Sequence, residues 1–89
     1  MKLKQAVEQL KLKEEEKIKI AQLLFLLDSL PGVTSATAEI LDNLRIVLDK
    51  VQDNEKYIAL KVLNDLSEEV DEILVDREII KHFSNKKAA

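Results

Sequence analysis

Few residues of this chain could take part in acid–base or metal chemistry. His82 is the only histidine, and the chain has no cysteine. Glu78 precedes His82 by four residues, so the two side chains would share one face of a helix. A zinc site takes three or four protein ligands, and this pair supplies only two. We therefore interpret His82 as a structural or surface residue and predict that the protein binds no metal.

A run of carboxylates lies between residues 68 and 76. It consists of Glu68, Glu69, Asp71, Glu72 and Asp76. An EF-hand calcium loop alternates its oxygen ligands around a central glycine, but the single glycine, Gly32, is far from this run. Acidic side chains are also typical of the first turn of a helix, where they face the positive end of the helix dipole. We interpret the run as a helix N-terminus.

Nucleophilic catalysis has no better support in the sequence. A catalytic serine needs a neighbouring base and a group that orients that base. Here four serines share a single histidine, and nothing places that histidine beside any of them. A phosphate-binding loop needs several glycines, and the chain has one. We predict that the protein is not an enzyme and uses no cofactor.

The longest apolar segment, residues 18–30, is the element around which we expect the chain to fold. Pro31 and Gly32 end it, because proline disfavours a helical conformation in the residue before it and glycine enters turns easily. At about 100° per residue, five consecutive apolar side chains surround a helix, so other helices or another protein must cover them. These five residues are our candidate interaction surface: Leu23, Leu24, Phe25, Leu26 and Leu27.

Composition and periodicity both favour an all-α fold. Aromatic residues make up only 3% of the chain, and Leu, Lys, Glu, Asp and Ala dominate. Further apolar stripes recur at the three- and four-residue spacing of helices. They lie at residues 3–10, 40–51, 57–66 and 73–83. We predict a single-domain antiparallel helical bundle of four to five helices around a central apolar helix, formed by residues 1–84, with a frayed tail at 85–89.

Breaks between the predicted helices differ in strength. Pro31-Gly32 is the clearest, and residues 52–54 form a second because they contain no apolar side chain and two good capping residues. Residues 67–72 interrupt the last apolar pattern, and Ser67, Asp71 or Asp76 could each cap a new helix. Near Leu12 the apolar stripe lapses, which leaves open whether residues 3–30 form one helix or two.

Two short signatures relate these helices to a known family. Residues 27–31 read Leu-Asp-Ser-Leu-Pro, and residues 63–66 read Leu-Asn-Asp-Leu, followed by an acidic turn and a final segment with Arg77 and Ile79-Ile80. In this layout, residues 18–84 resemble uncharacterised protein family 0147, a family of small all-helical archaeal proteins. The resemblance implies an all-helical fold and an archaeal source, but no activity and no site residues. The similarity between the two signatures leaves open whether a helix–break–helix unit is duplicated in the chain.

The charge distribution limits the choice of partner. The formal net charge is -3 at pH 7, and the acidic residues concentrate in the middle of the chain. Nucleic-acid-binding faces are usually basic, and only the N-terminal segment has a cationic strip. Its lysines are Lys2, Lys4, Lys11, Lys13 and Lys17. An RNA- or ribosome-associated accessory protein is therefore the alternative hypothesis.

Our leading hypothesis is a non-catalytic helical protein-interaction module that self-associates, most simply as a symmetric dimer. The apolar segment is too short for a bilayer span of about 20 residues and contains Asp28, so we predict no membrane association. The lack of cysteine is typical of an intracellular protein, and we expect a cytoplasmic location. The sequence leaves monomer and dimer open, because the five-residue run is either spare surface or the middle of a core.

Overall fold

The structure is a computed structural model that describes the backbone of residues 2–88 and the side chains of residues 2–81. Within these residues the chain forms four helices and no strand. They are α1 (Lys2–Glu8), α2 (Glu14–Ser29), α3 (Ser35–Asp49) and α4 (Lys56–Ala88). The predicted all-α class is confirmed, and the two-helix alternative for residues 3–30 is the one that the structure adopts.

Successive helices run in opposite directions along the bundle. The backbone N–H of Lys11 donates to Oδ2 of Asp53 at 2.9 Å, which brings the α1–α2 loop and the α3–α4 loop to the same end. At the other end, the guanidinium of Arg77 donates to the carbonyl of Val33 in the α2–α3 loop. α1 packs on α4, α4 on α3, and α3 on α2. Three of the four sides of an up-and-down bundle are therefore closed by helix packing.

The core is centred on α3 and the first half of α4. Leu44 and Leu48 of α3 and Leu63 of α4 are completely buried. α1 contributes Leu3 and Val7 to the same apolar cluster. The buried positions of α3 recur at three- and four-residue spacing, so one face of the helix meets both of its neighbours.

α2 lies at the side of the bundle, whereas the sequence placed it at the centre. Only Ile20 and Leu24 of α2 are buried. A central helix needs neighbours on every side, but α1 has only seven residues and packs on α4 rather than on α2. One side of α2 therefore has no neighbouring helix.

The helix boundaries follow the stronger of the predicted signals. Thr34 is the N-cap of α3, and its backbone N–H donates to Oγ1 of Thr37 at 3.0 Å. Pro31 and Gly32 form the predicted bend, and neither has a positive φ, so proline rather than a left-handed glycine ends α2. The turn predicted at residues 52–54 separates α3 from α4.

The break predicted at residues 67–72 is wrong, because α4 is continuous over 33 residues. Leu63, Val70 and Leu74 continue one apolar face through the acidic run, and Val70 is buried. The segment contains no glycine or proline that would stop a helix. Residues 85–88, predicted as part of a frayed tail, continue α4, and Ala89 lies outside the described residues.

α4 determines the outline of the molecule. A helix of this length spans about 50 Å, and the described chain measures 55 × 21 × 19 Å. Among the described side chains of α4, Val70 is the last that is buried, and those from Val75 to Lys81 are exposed. The distal part of α4, residues 73–88, therefore has little cover from the other three helices over its described side chains, and its end lies beyond the α2–α3 loop that Arg77 contacts.

Candidate protein-interaction surface

The structure divides the candidate interaction surface between core and solvent. Leu24 is buried, with 8% of its surface exposed. Leu23 and Leu27 are half-buried and pack against the core. Phe25 and Leu26 are exposed to 72% and 51%, respectively. The five residues thus do not act as one surface, and Phe25 and Leu26 are the members available to a partner.

An open groove separates α1 from α2 on the fourth side of the bundle. Its volume is about 470 Å³, which is within the usual range for ligand-binding clefts. The floor is apolar and consists of the buried side chains of Val7, Leu10, Ile20 and Leu24. Phe25 lies on the edge of this α1–α2 groove, so an exposed aromatic ring stands beside an apolar floor.

The polar side chains of the α1–α2 groove carry a balanced charge. Lys4 and Glu8 stand on α1, and Lys17 and Asp28 stand on α2. Such a combination of apolar floor and mixed rim is typical of grooves that accept an amphipathic helix. Among the side chains of residues 2–81, its ionisable groups are two lysines and two carboxylates, and none of them is a histidine, serine or cysteine.

A second exposed apolar region lies on the distal part of α4. Ile73 and Ile80 are seven residues apart and lie on one face of the helix. Val75 and Ile79 are exposed on another face. The sequence pattern assigned this segment to the last apolar face of the bundle, whereas in the structure these four side chains are exposed.

A polar cleft of about 550 Å³ lies between the two loops at the opposite end of the bundle from the α2–α3 turn. Three lysines and three carboxylates line it: Lys11, Lys13, Lys50, Glu16, Asp53 and Glu55. The equal numbers give this cleft no net charge, so it offers no particular attraction to an anion.

Asp53 joins the two loops within this cleft. Its Oδ2 accepts the backbone N–H of Lys11, and its Oδ1 accepts the backbone N–H of Glu55, each at 2.9 Å. The hydrogen bond from Lys11 and then that from Glu55 lower the pKa of Asp53, because they stabilise the charged carboxylate. We interpret Asp53 as a structural residue that fixes the loops.

The predicted lysine strip is dispersed over three environments. Lys11 and Lys13 line the polar cleft beside carboxylates. Lys4 and Lys17 stand on opposite walls of the α1–α2 groove. Lys2 lies near Asp65 and Glu69 of α4. These positions do not form the continuous basic face that a nucleic-acid backbone requires.

The residues considered for metal chemistry are spread along α4. The run from Glu68 to Asp76 lies in the middle of a continuous helix, so its interpretation as a helix N-terminus is wrong. The side chain of His82 lies outside the described residues. Among the side chains that the structure describes, no group of three or more potential ligands is placed to hold a metal ion. No helix of residues 2–88 combines the length and the apolar character that crossing a bilayer requires.

No protein-family model, curated protein or solved structure matches the chain. The resemblance to uncharacterised protein family 0147 therefore stays a prediction. What the molecule can bind is inferred from its own exposed surface.

Proposed function

We propose that the protein is a non-catalytic helical module that acts by binding protein, and that it binds a second copy of itself through the exposed side of α2. The supporting observation is Phe25, which is 72% exposed on the edge of the α1–α2 groove. This aromatic side chain belongs to the longest apolar segment of the chain, yet the bundle leaves it in water.

The energetic argument rests on the size of the exposed side chains. Burying a phenylalanine side chain contributes roughly 1.5–3 kcal/mol. Ile18 lies on the same helix and is 53% exposed. In a dimer with two-fold symmetry, both copies bury these side chains, so each residue contributes twice to the interface. Apolar side chains clustered beside an open apolar groove are typical of protein interfaces.

The decisive variant is Phe25→Ser. The native chain should show a mass of 10.2 kDa at high dilution and twice that mass at high concentration, measured by light scattering coupled to size exclusion. Removing the ring should raise the dimer dissociation constant by at least about tenfold, since about 1.4 kcal/mol corresponds to a factor of ten. The melting temperature should stay close to the native value, because Phe25 adds little to the monomer core.

Ile80→Ser is the matched control, because Ile80 is 64% exposed on α4. It should leave the dissociation constant unchanged. A native mass of 10.2 kDa at every concentration would refute self-association. A loss of the dimer in Ile80→Ser but not in Phe25→Ser would place the interface on α4 instead of α2.

A further inference from the structure

The exposed side of α2 has a pattern that is symmetric about the middle of the helix. Ile18 and Phe25 are exposed apolar residues at equal distances before and after a point between residues 21 and 22. Lys17 and Asp28 are exposed residues of opposite charge, and they lie at equal distances from a point between residues 22 and 23. Ala21, the smallest side chain of this side, stands at the centre and is also exposed.

Helical geometry arranges these residues as two edges of one face. Ile18 and Phe25 are two turns apart and point in directions that differ by about 20°. Lys17 and Asp28 are three turns apart and also differ by about 20°. The two edges are separated by roughly 80°, and Ala21 lies between them. α2 thus exposes an apolar edge and a charged edge on either side of a small central residue.

We infer that two copies of the chain pack α2 against α2 in antiparallel orientation, about a two-fold axis near residues 21 and 22. The inference rests on the proposed function and specifies the orientation and the contacts of the two copies. In an antiparallel pair with this symmetry, each edge of one helix faces the same edge of the other in reverse order. Ile18 then meets Phe25 of the second copy, and Lys17 meets Asp28 of the second copy. Each contact occurs twice.

Charge complementarity selects this orientation over the parallel one. In a parallel symmetric pair, the charged edge of one helix would face the apolar edge of the other. Apolar neighbours would then desolvate the charged groups of Lys17 and Asp28 without supplying an ionic partner, which is unfavourable. The antiparallel pair instead joins opposite charges, and Ala21 allows the helices to approach to the 8–10 Å typical of close helix packing.

The α1–α2 groove presents a lining without net charge to the second helix. Lys17, Ala21, Phe25 and Asp28 all line this groove, so a helix that packs on them also covers the apolar floor. The lysine and the carboxylate on the α1 wall cancel each other, as Lys17 and Asp28 do on the α2 wall. A second copy of α2, with its own lysine and aspartate, therefore meets a neutral surface.

Charge reversal tests the register of the pair. Lys17→Glu alone and Asp28→Lys alone should each weaken dimerisation by about tenfold at low salt, because each places like charges together in two symmetric contacts. The double variant Lys17→Glu/Asp28→Lys should restore the native dissociation constant, since the pairs reform with reversed sign. Sedimentation equilibrium measures the constants. Thermal melting should show that all three variants fold, because both residues are exposed.

Cross-linking tests the position of the symmetry axis. The chain contains no cysteine, so a single introduced thiol reports only on its own site. Ala21→Cys should form a covalent dimer under mild oxidation, because the two thiols would lie on either side of the axis. Lys19→Cys is the control, since residue 19 is exposed about 160° away on the same helix and should not cross-link.

The outcomes separate this inference from the proposed function. If the native chain dimerises but the double charge variant is not rescued and Ala21→Cys does not cross-link, the antiparallel α2 packing is overturned while self-association stands. If the native chain has the monomer mass at every concentration, self-association itself is overturned, and the packing with it.

Discussion

Asp53 shows how a single side chain can fix the ends of several helices. It accepts backbone N–H groups from both loops, one of them 42 residues earlier in the chain. The sequence identified residues 52–54 as a turn with capping residues, because such residues bond locally. The bond to Lys11 could not be predicted, because it depends on how two distant loops pack.

Replacement of Asp53 by asparagine should lower the melting temperature at pH 7. The amide has one acceptor oxygen and no charge, so it cannot accept both backbone N–H groups as the carboxylate does. Asp42→Asn is the control, because the ion pair of Asp42 with Arg45 is 3.9 Å long and exposed and should contribute little. Equal melting temperatures for Asp53→Asn and the native chain would contradict the structural role.

The pH dependence of this effect has a definite sign. The folded state lowers the pKa of Asp53 below its value in the unfolded chain. The carboxylate therefore stabilises the fold fully above the unfolded pKa, and the contribution is lost as the pH falls through the folded pKa. The difference between the native chain and Asp53→Asn should accordingly shrink as the pH is lowered below 4, as measured by melting curves from about pH 2 to 7.

Among the elements, α4 differs most from the sequence prediction. Residues 67–72 carry strong capping and acidic signals, which favour the start of a new helix. Those signals are local, and the packing of this part of α4 on α3 overrides them. Val70 is buried there, and Ser67 and Asp71 lie beside Ala38 and Leu41 of α3. A helix N-terminus and an acidic turn in mid-helix look alike in sequence when no glycine or proline separates them.

Glu68→Pro distinguishes the two possibilities. In a continuous helix, proline removes a backbone hydrogen bond and clashes with the preceding turn, so we expect a loss of about 3 kcal/mol or more in the free energy of unfolding. If a helix began after Ser67, proline would occupy its first position, where it is well tolerated. Urea denaturation measures the difference, and Glu68→Ala should stay within about 0.5 kcal/mol of the native chain because this residue is exposed.

The candidate interaction surface shows a second property of the helices that the sequence did not predict, which is the side of α2 that stays uncovered. The five apolar residues correctly predicted a helix, but the bundle covers only part of it and leaves Phe25 and Leu26 exposed. Which side stays open depends on the length and position of α1, which ends at Glu8 and packs on α4. Apolar periodicity describes a helix but not the extent of its neighbours. Phe25 and Leu24 were therefore equivalent in sequence, although one is exposed and the other buried.

At the scale of the whole molecule, the continuity of α4 gives an elongated shape. The radius of gyration of the Cα atoms is 15.8 Å, whereas a compact domain of this length has about 12 Å. Composition predicted the helical class because it reflects propensity summed over many residues. Molecular shape depends instead on one connection, between residues 66 and 73, and a five-helix bundle would be shorter and wider.

Small-angle X-ray scattering of the Phe25→Ser variant should reveal this shape without interference from a dimer. We expect a radius of gyration near the 15.8 Å of the Cα atoms and a maximum dimension close to the 55 Å of the long axis. In the double variant Phe25→Ser/Glu68→Pro, helix α4 should bend at the new proline, so the maximum dimension should fall below that of Phe25→Ser while the mass stays that of a monomer. A radius of gyration near 12 Å for Phe25→Ser would instead mean that the distal part of α4 folds back on the bundle. Ile73 and Ile80 would then belong to the core, as the sequence pattern predicted, and α2 would be the remaining exposed apolar surface.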